Sequence, residues 1–287
     1  MWKKFLGGVV FGTGFAIAFV IVLNVALVRF IDRGPISMYS ESGSELTEAP
    51  AIRDQEAFLG SQGTYDSRFS MDQTETLAAG DGSIVGQIES NGVGVEGVRL
   101  RLALNGTVKS AWATTDTNGV YTIRVPFGEY RIDGYELDFQ SANAALPGKI
   151  DHPRNAYASE VFEVTDERSG EGLRLRYTDP IRKLSPHGDV KLSDGVVVTW
   201  APYPGTSSYS VQVYESDQSR GFIGNNTLFT FADKPRVTEP SIDLLAHGAA
   251  LQPGRYYLVE ICAYDAQGQA ISATTPQLEG RDFRVVD

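Results

Sequence analysis

Residues 5–28 (FLGGVVFGTGFAIAFVIVLNVALV) carry no charged side chain, and only Thr13 and Asn24 interrupt the run with polarity. A helix rising ~1.5 Å per residue carries 24 residues about 36 Å, enough to cross a hydrocarbon core of roughly 30 Å with some tilt. The run therefore reads as a transmembrane span, with the lipid bilayer as its partner. Lys3 and Lys4 precede it and Arg29, Asp32 and Arg33 follow, so charge bias orients it only slightly. Placement gives the stronger argument. Residues 1–4 are a stub and everything foldable follows the run, the arrangement of a signal anchor that leaves its N-terminus in the cytoplasm. The expected address is the inner (plasma) membrane, single-pass, with the C-terminal domains periplasmic or extracellular. The alternative is a cleavable signal peptide, because Ala16-Ile17-Ala18 has a small-x-small form, although cleavage there leaves Phe19 to Val28 as an apolar new N-terminus. No cysteine lies near the run, which excludes a lipoprotein anchor. Gly8, Gly12 and Ala16 recur every four residues and offer a small-residue face for transmembrane packing into a weak homodimer.

Beyond the span, about 255 residues leave room for two domains of about 100 residues and a linker. The formal net charge is −11, and residues 31–80 hold nine acidic against three basic side chains. Such a surface repels nucleic acid and anionic lipid headgroups, so no nucleic-acid partner is expected. Cys262 is the only cysteine, which rules out an internal disulfide and leaves stability to the cores. That usage suits a bacterial envelope better than a eukaryotic secreted domain. Residues 29–80, rich in Ser, Gly, Glu, Asp, Thr and Gln, read as a flexible acidic linker, with a short helix within 51–59 as an option; a coil of 50 residues reaches ~35–42 Å.

From Ser83 the pattern changes to period-two alternation punctuated by turn residues, which predicts an all-β sandwich. Val98, Leu100, Leu102 and Leu104 face one way, and Arg99, Arg101 and Asn105 the other. Asn105-Gly106 closes a hairpin into a strand over 108–115, and Thr117-Asn118-Gly119 turns into 120–125. Further strands are predicted over 129–139, 159–164 and 172–177. Gly86, Gly97-Val98, Thr115-Asp116-x-x-Gly119-x-Tyr121 and Pro126-x-Gly128-x-Tyr130 make residues 81–179 resemble the carboxypeptidase regulatory-like, transthyretin-like domain. The resemblance implies a stabilising or recognition role, since the catalytic partner of that family is a separate domain not recognised in this sequence.

After Pro180 and Pro186 a second alternation begins. Val198-Thr199-Trp200-Ala201-Pro202, Tyr209-x-Val211-x-Val213 and Leu251-x-Pro253-Gly254-x-x-Tyr257, running into Ala263-Tyr264-Asp265-x-x-Gly268, make residues 183–287 resemble a fibronectin type III domain. The Leu-x-Pro-Gly-x-x-Tyr spacing resembles a tyrosine corner and implies a structural role for Tyr257. Trp200 alternates inward and reads as core. The segment 221–240 departs from a plain strand and reads as an extended loop. The expected fold is thus two Ig-like or prealbumin-like β-sandwiches in tandem behind one transmembrane helix.

Motifs for chemistry fail on their physics. Gly92-x-Gly94-x-x-Gly97 has a strand after it where a dinucleotide site needs a helix N-terminus. Asp116-x-Asn118-Gly119 lacks the later acidic ligands of a calcium loop and reads as a turn. His152, His187 and His247 stand far apart and open no zinc motif. No nucleophile elbow exists, and Cys262 faces away from the core beside Leu258 and Glu260 as a shielded small hydrophobe. The chain is read as a non-enzyme without cofactor or metal. Trp112 and Tyr135 are the ligand-binding candidates, because a Trp and a Tyr exposed together on the outer face can stack on sugar rings; the alternative for Trp112 is packing under the loop around residues 140–155. The functional expectation is an anchored scaffold presenting two sandwiches to a protein partner, with envelope glycan binding through the middle domain as the alternative.

Overall fold

In the computed structural model, the described residues are 58, 75–106, 108–217, 227–230, 232–275 and 281–287. The span at 5–28, its packing face at Gly8, Gly12 and Ala16, and all of the 51–59 helix option except Phe58 lie outside them. Among the described residues no helix is long and apolar enough to cross a membrane. They are nearly all β, with a single seven-residue α-helix, Phe139–Ala145, and one short 3-10 turn.

Two hydrophobic cores organise the strands, one drawn from Phe58 and residues 84–177, the other from residues 181–285. In the first sandwich, Gly82–Ser90 runs parallel to Gly170–Thr178 and antiparallel to Val120–Val125, with Ile150–Asp151 on the outer side of Gly170–Thr178. Asn91 (φ 50°) and Gly92 (φ 80°) close a two-residue turn that returns Val93–Gly94 onto the same strand. Facing this sheet, Arg99–Leu104 pairs with Ile132–Leu137 on one side. The predicted strand over 108–115 is split on the other, into Val108–Lys109 and Ala113–Thr114. Ser110 explains the break: its Oγ accepts the Leu102 amide at 2.9 Å and donates to the Ala111 carbonyl at 2.8 Å, so a side chain replaces a ladder rung and the chain arches outward at Trp112.

Leu100, Leu102 and Leu104 are fully buried, as their alternation requires. Gly86 is dictated by packing. A Cβ there would stand 2.3 Å from the Tyr121 hydroxyl and 2.5 Å from the Leu173 carbonyl, the two groups joined by a 2.9 Å hydrogen bond beneath it. Asp138 caps the helix, its carboxylate accepting the Ser141 amide at 2.9 Å.

Part of the segment read as linker is docked. The Phe58 amide donates to Asn143 Oδ1 at 2.6 Å and its ring meets Tyr177 edge-on at 5.4 Å, while Glu75–Thr76 pairs parallel to Val108–Lys109.

In the second sandwich, Lys183–Ser185, Val197–Trp200 and Ser241–Asp243 form one sheet. The other centres on Tyr256–Tyr264, paired along its length with Ser208–Ser216, which also carries Arg236–Val237. On its far side Tyr256–Tyr264 meets Ala270–Ala273 and Phe283–Val286 in succession, and Gly188–Lys191 runs parallel to the latter. Trp200 sits in this core, edge-on to Tyr209 at 5.1 Å, and Tyr257 stacks on Phe283 at 5.2 Å. The Tyr257 hydroxyl accepts the Gln252 amide at 2.7 Å and donates to Glu215 at 3.1 Å. Burial pushes its pKa up to about 12.

The described residues all fall within one compact unit. Residues 179–182 are the whole connector between the sandwiches, and they are pinned. Ser272 Oγ donates to the Asp179 carbonyl at 2.6 Å, the Ile181 amide to Ala273 at 2.8 Å and the Ala201 amide to Arg182 at 2.9 Å. Thr178 Oγ1 and the Tyr203 hydroxyl meet at 2.5 Å across the joint.

Candidate functional site

Trp112 and Tyr135 do not form an exposed aromatic pair. Tyr135 is fully buried, stacked on Tyr157 at 5.9 Å, with its hydroxyl 3.3 Å from that of Tyr177. Burial, with Tyr177 and Asp151 nearby, pushes its pKa well up. The outward reading fails because the pairing of Arg99–Leu104 with Ile132–Leu137 shifts register between Ala103 and Leu104, which resets the parity of the strand. Trp112 is half-buried beneath two guanidinium groups, Arg99 at 4.8 Å and Arg101 at 4.7 Å from its ring centroid. Arg101 in turn is held by Glu136 at 2.7 Å. Trp112 is thus part of a surface clamp.

The other residues singled out in the sequence resolve structurally. Asp116 Oδ1 accepts the amides of Asn118 at 2.8 Å and Val120 at 2.9 Å, the geometry of a turn. Cys262 lies on the outward face, and burial raises its thiol pKa, as expected of an inert thiol. Among the described residues, no group of three His, Cys, Asp or Glu side chains is placed to hold a metal ion.

The joint between the sandwiches opens into a cleft of about 470 Å³. Its first-sandwich wall carries Glu89, Asn91, His152, Arg154, Arg176 and Thr178; Tyr203, Pro204 and Ile271 form the opposite wall from the second. Glu89 is buried and accepts three hydrogen bonds. Arg174 donates to its Oε2 from Nε at 3.2 Å and Nη2 at 2.8 Å, and Arg176 Nε donates to its Oε1 at 3.1 Å. Glu89 therefore orients Arg176 through one N–H and leaves the rest of that guanidinium uncommitted. The loop at 152–155 is pinned to the same strand: the His152 amide and Asn155 Nδ2 both donate to the Arg176 carbonyl, at 2.9 and 2.8 Å, and Asn155 Oδ1 accepts the Arg176 amide at 2.8 Å.

His152 Nδ1 accepts the Arg154 amide at 3.2 Å. Burial, then Arg176 and Arg154, lower its pKa, with Glu89 opposing. The Arg154 side chain is exposed, and no carboxylate of the described residues pairs with it. At the polar rim, Asn91 Nδ2 donates to Asp179 at 2.9 Å and Asn91 Oδ1 accepts from Thr178 at 3.3 Å, so both ends of the amide are engaged. The cleft was not readable from sequence, because its residues come from five separate stretches of chain. The one local signal was Arg-x-Arg at 174–176 on an outward strand face opposite Glu89.

No protein-family model and no curated protein matches this sequence. Among solved structures, a DUF3823 family protein from Bacteroides ovatus aligns over 70% of this chain and 97% of its own, at 10% identity and a TM-score of 0.24. A second DUF3823 family protein, from Parabacteroides merdae, aligns over 69% and 96%, at 14% identity and 0.20. The Bacillus anthracis TIE protein aligns over 71% of this chain and 33% of its own, at 10% identity and 0.23. At TM-scores this low the superpositions define no shared fold, and the architecture rests on the strands themselves.

Proposed function

We propose that this chain is a single-span, membrane-anchored binding protein. It presents two joined β-sandwiches outside the cytosol to a protein partner and acts without catalysis. The apolar run at 5–28 supports the anchor. Tethering near a bilayer raises the local concentration of a membrane-associated partner, so weak intrinsic affinity suffices. The observation that carries the reading is the junction cleft. Both sandwiches build it, and a four-residue connector pinned by hydrogen bonds fixes its shape, so the docking face is preorganised. A glycan reading through Trp112 and Tyr135 has lost its aromatic platform.

Site-specific photocrosslinking in intact membranes tests this. A benzoylphenylalanine at Asn91 or Ile271, on the cleft rim, should give discrete protein adducts, and one at Asp189 on the Gly188–Lys191 edge should not. Equal labelling at all three positions, or none at the cleft, would remove the docking reading.

A further inference from the structure

We propose that the junction cleft is a carboxylate-recognition site that takes an acidic segment of the partner protein, with Arg154 and the free edge of Arg176 as its ligands. The inference rests on the docking reading above and gives it a chemistry.

Hydrogen-bonding capacity selects the ligand class. Glu89 is consumed by Arg174 and Arg176, both ends of the Asn91 amide are engaged, and the Thr178 and Tyr203 hydroxyls bond to each other. Among the described residues, the charged groups that remain uncommitted are cationic: the whole Arg154 guanidinium and the remaining N–H groups of Arg176, with the His152 ring beside them. A neutral sugar hydroxyl brings these guanidinium groups no counter-charge. A carboxylate is acceptor-only, and guanidinium groups meet it in bidentate fashion.

Local charge points the same way. Among the lining residues Glu89 offers one negative charge against Arg154 and Arg176, a net positive pocket on a chain of net −11. A cleft with that contrast focuses field toward anions. The opposite wall chooses between anions. Pro204 and Ile271 give it an aliphatic surface with Tyr203 beside them, which suits an apolar side chain adjoining an acidic one. A bare phosphate leaves that wall uncovered. An alternating acidic and aliphatic peptide covers both walls.

The test uses the full-length chain in nanodiscs of neutral lipid and a fluorescent hexapeptide of alternating Glu and Leu. Its Gln analogue, inorganic phosphate and an oligouronate are the competitors. The Glu peptide should bind, with affinity falling as salt rises and dropping about tenfold or more in Arg154→Ala. Among the described residues no carboxylate pairs with Arg154, so this variant should keep its fold. The Gln analogue should not bind, and neither phosphate nor oligouronate should displace the peptide at equal concentration. Equal affinity in Arg154→Ala, binding of the Gln analogue, or displacement by phosphate or oligouronate would each overturn the assignment. If peptide binding fails while crosslinks at Ile271 persist, the carboxylate chemistry falls and the docking face stands. Peptide binding without those crosslinks would sink the docking face instead.

Discussion

Lys183 Nζ lies 2.6 Å from both carboxylate oxygens of Asp282, in an ion pair that is almost completely buried. The pair fills a gap in a strand ladder. Along Tyr256–Tyr264, one neighbour pairs at 256–257 and the other at 262–264, which leaves Val259 between them. Asp282 Oδ2 accepts the Val259 amide at 2.7 Å, and Lys183 Nζ donates to the Val259 carbonyl at 3.0 Å. Two side chains thus stand in for the missing rung and bind the two sheets of the second sandwich together.

Removing one partner leaves a buried, uncompensated charge. Lys183→Met should destabilise the second sandwich by about 3–5 kcal/mol, read as a lowered urea midpoint by tryptophan fluorescence. Adding Asp282→Asn to it should recover part of that loss, since an amide oxygen still accepts from Val259 without needing a counter-charge. A single variant within about 1 kcal/mol of the parent would show the pair to be dispensable.

Phe58 lies in a stretch that composition reads as linker, yet it is buried against Tyr177 and its amide is capped by Asn143. Phe58→Ala should cost about 3 kcal/mol in the first sandwich and leave the second untouched. Equal stability of parent and variant would return the residue to the linker.

The contrast between these residues shows which physics a sequence displays. Leu100, Leu102 and Leu104 were legible because alternation is a local rule, and the Leu251 to Tyr257 spacing because a tyrosine corner closes within a few residues. The split of 108–115 was hidden, since Ser110 Oγ competes with the backbone only once Leu102 is beside it. Tyr135 was misread because its own strand carries one extra residue, Asp133, opposite the Ala103–Leu104 step, which inverts that strand's faces downstream. The helix at Phe139–Ala145 was overlooked, although Asp138 three residues before Ser141 is a capping signal. The cleft was beyond local rules altogether, because it exists only where the two sandwiches meet.

Trp112 should tolerate truncation. Its ring is half-buried and held by Arg99 and Arg101, and Arg101 keeps its contact with Glu136 without it. Trp112→Ala should therefore cost about 1 kcal/mol and preserve the circular dichroism spectrum. Loss of folding would place Trp112 among the core residues.

His152 should make the molecule sensitive to mild acid. Its pKa is lowered by burial, then by Arg176 and Arg154, while Glu89 works in the other direction. Nδ1 accepts the Arg154 amide, so the neutral ring carries its proton on Nε2, and protonation removes that acceptor. Well above a pH of about 6.5 the ring is neutral in both folded and unfolded chains and contributes no pH dependence. As pH falls from there through the folded-state value, the unfolded chain takes up the proton first and stability declines, levelling once both states are charged. His152→Gln should flatten the urea midpoint between pH 7 and 5 relative to the parent, since Gln can still accept the Arg154 amide and does not titrate. A bound carboxylate reverses the sign by favouring the imidazolium, so the affinity of an acidic peptide should rise over the same interval in the parent and stay level in the variant. Parallel stability profiles for the two proteins would show that His152 is not the group that titrates.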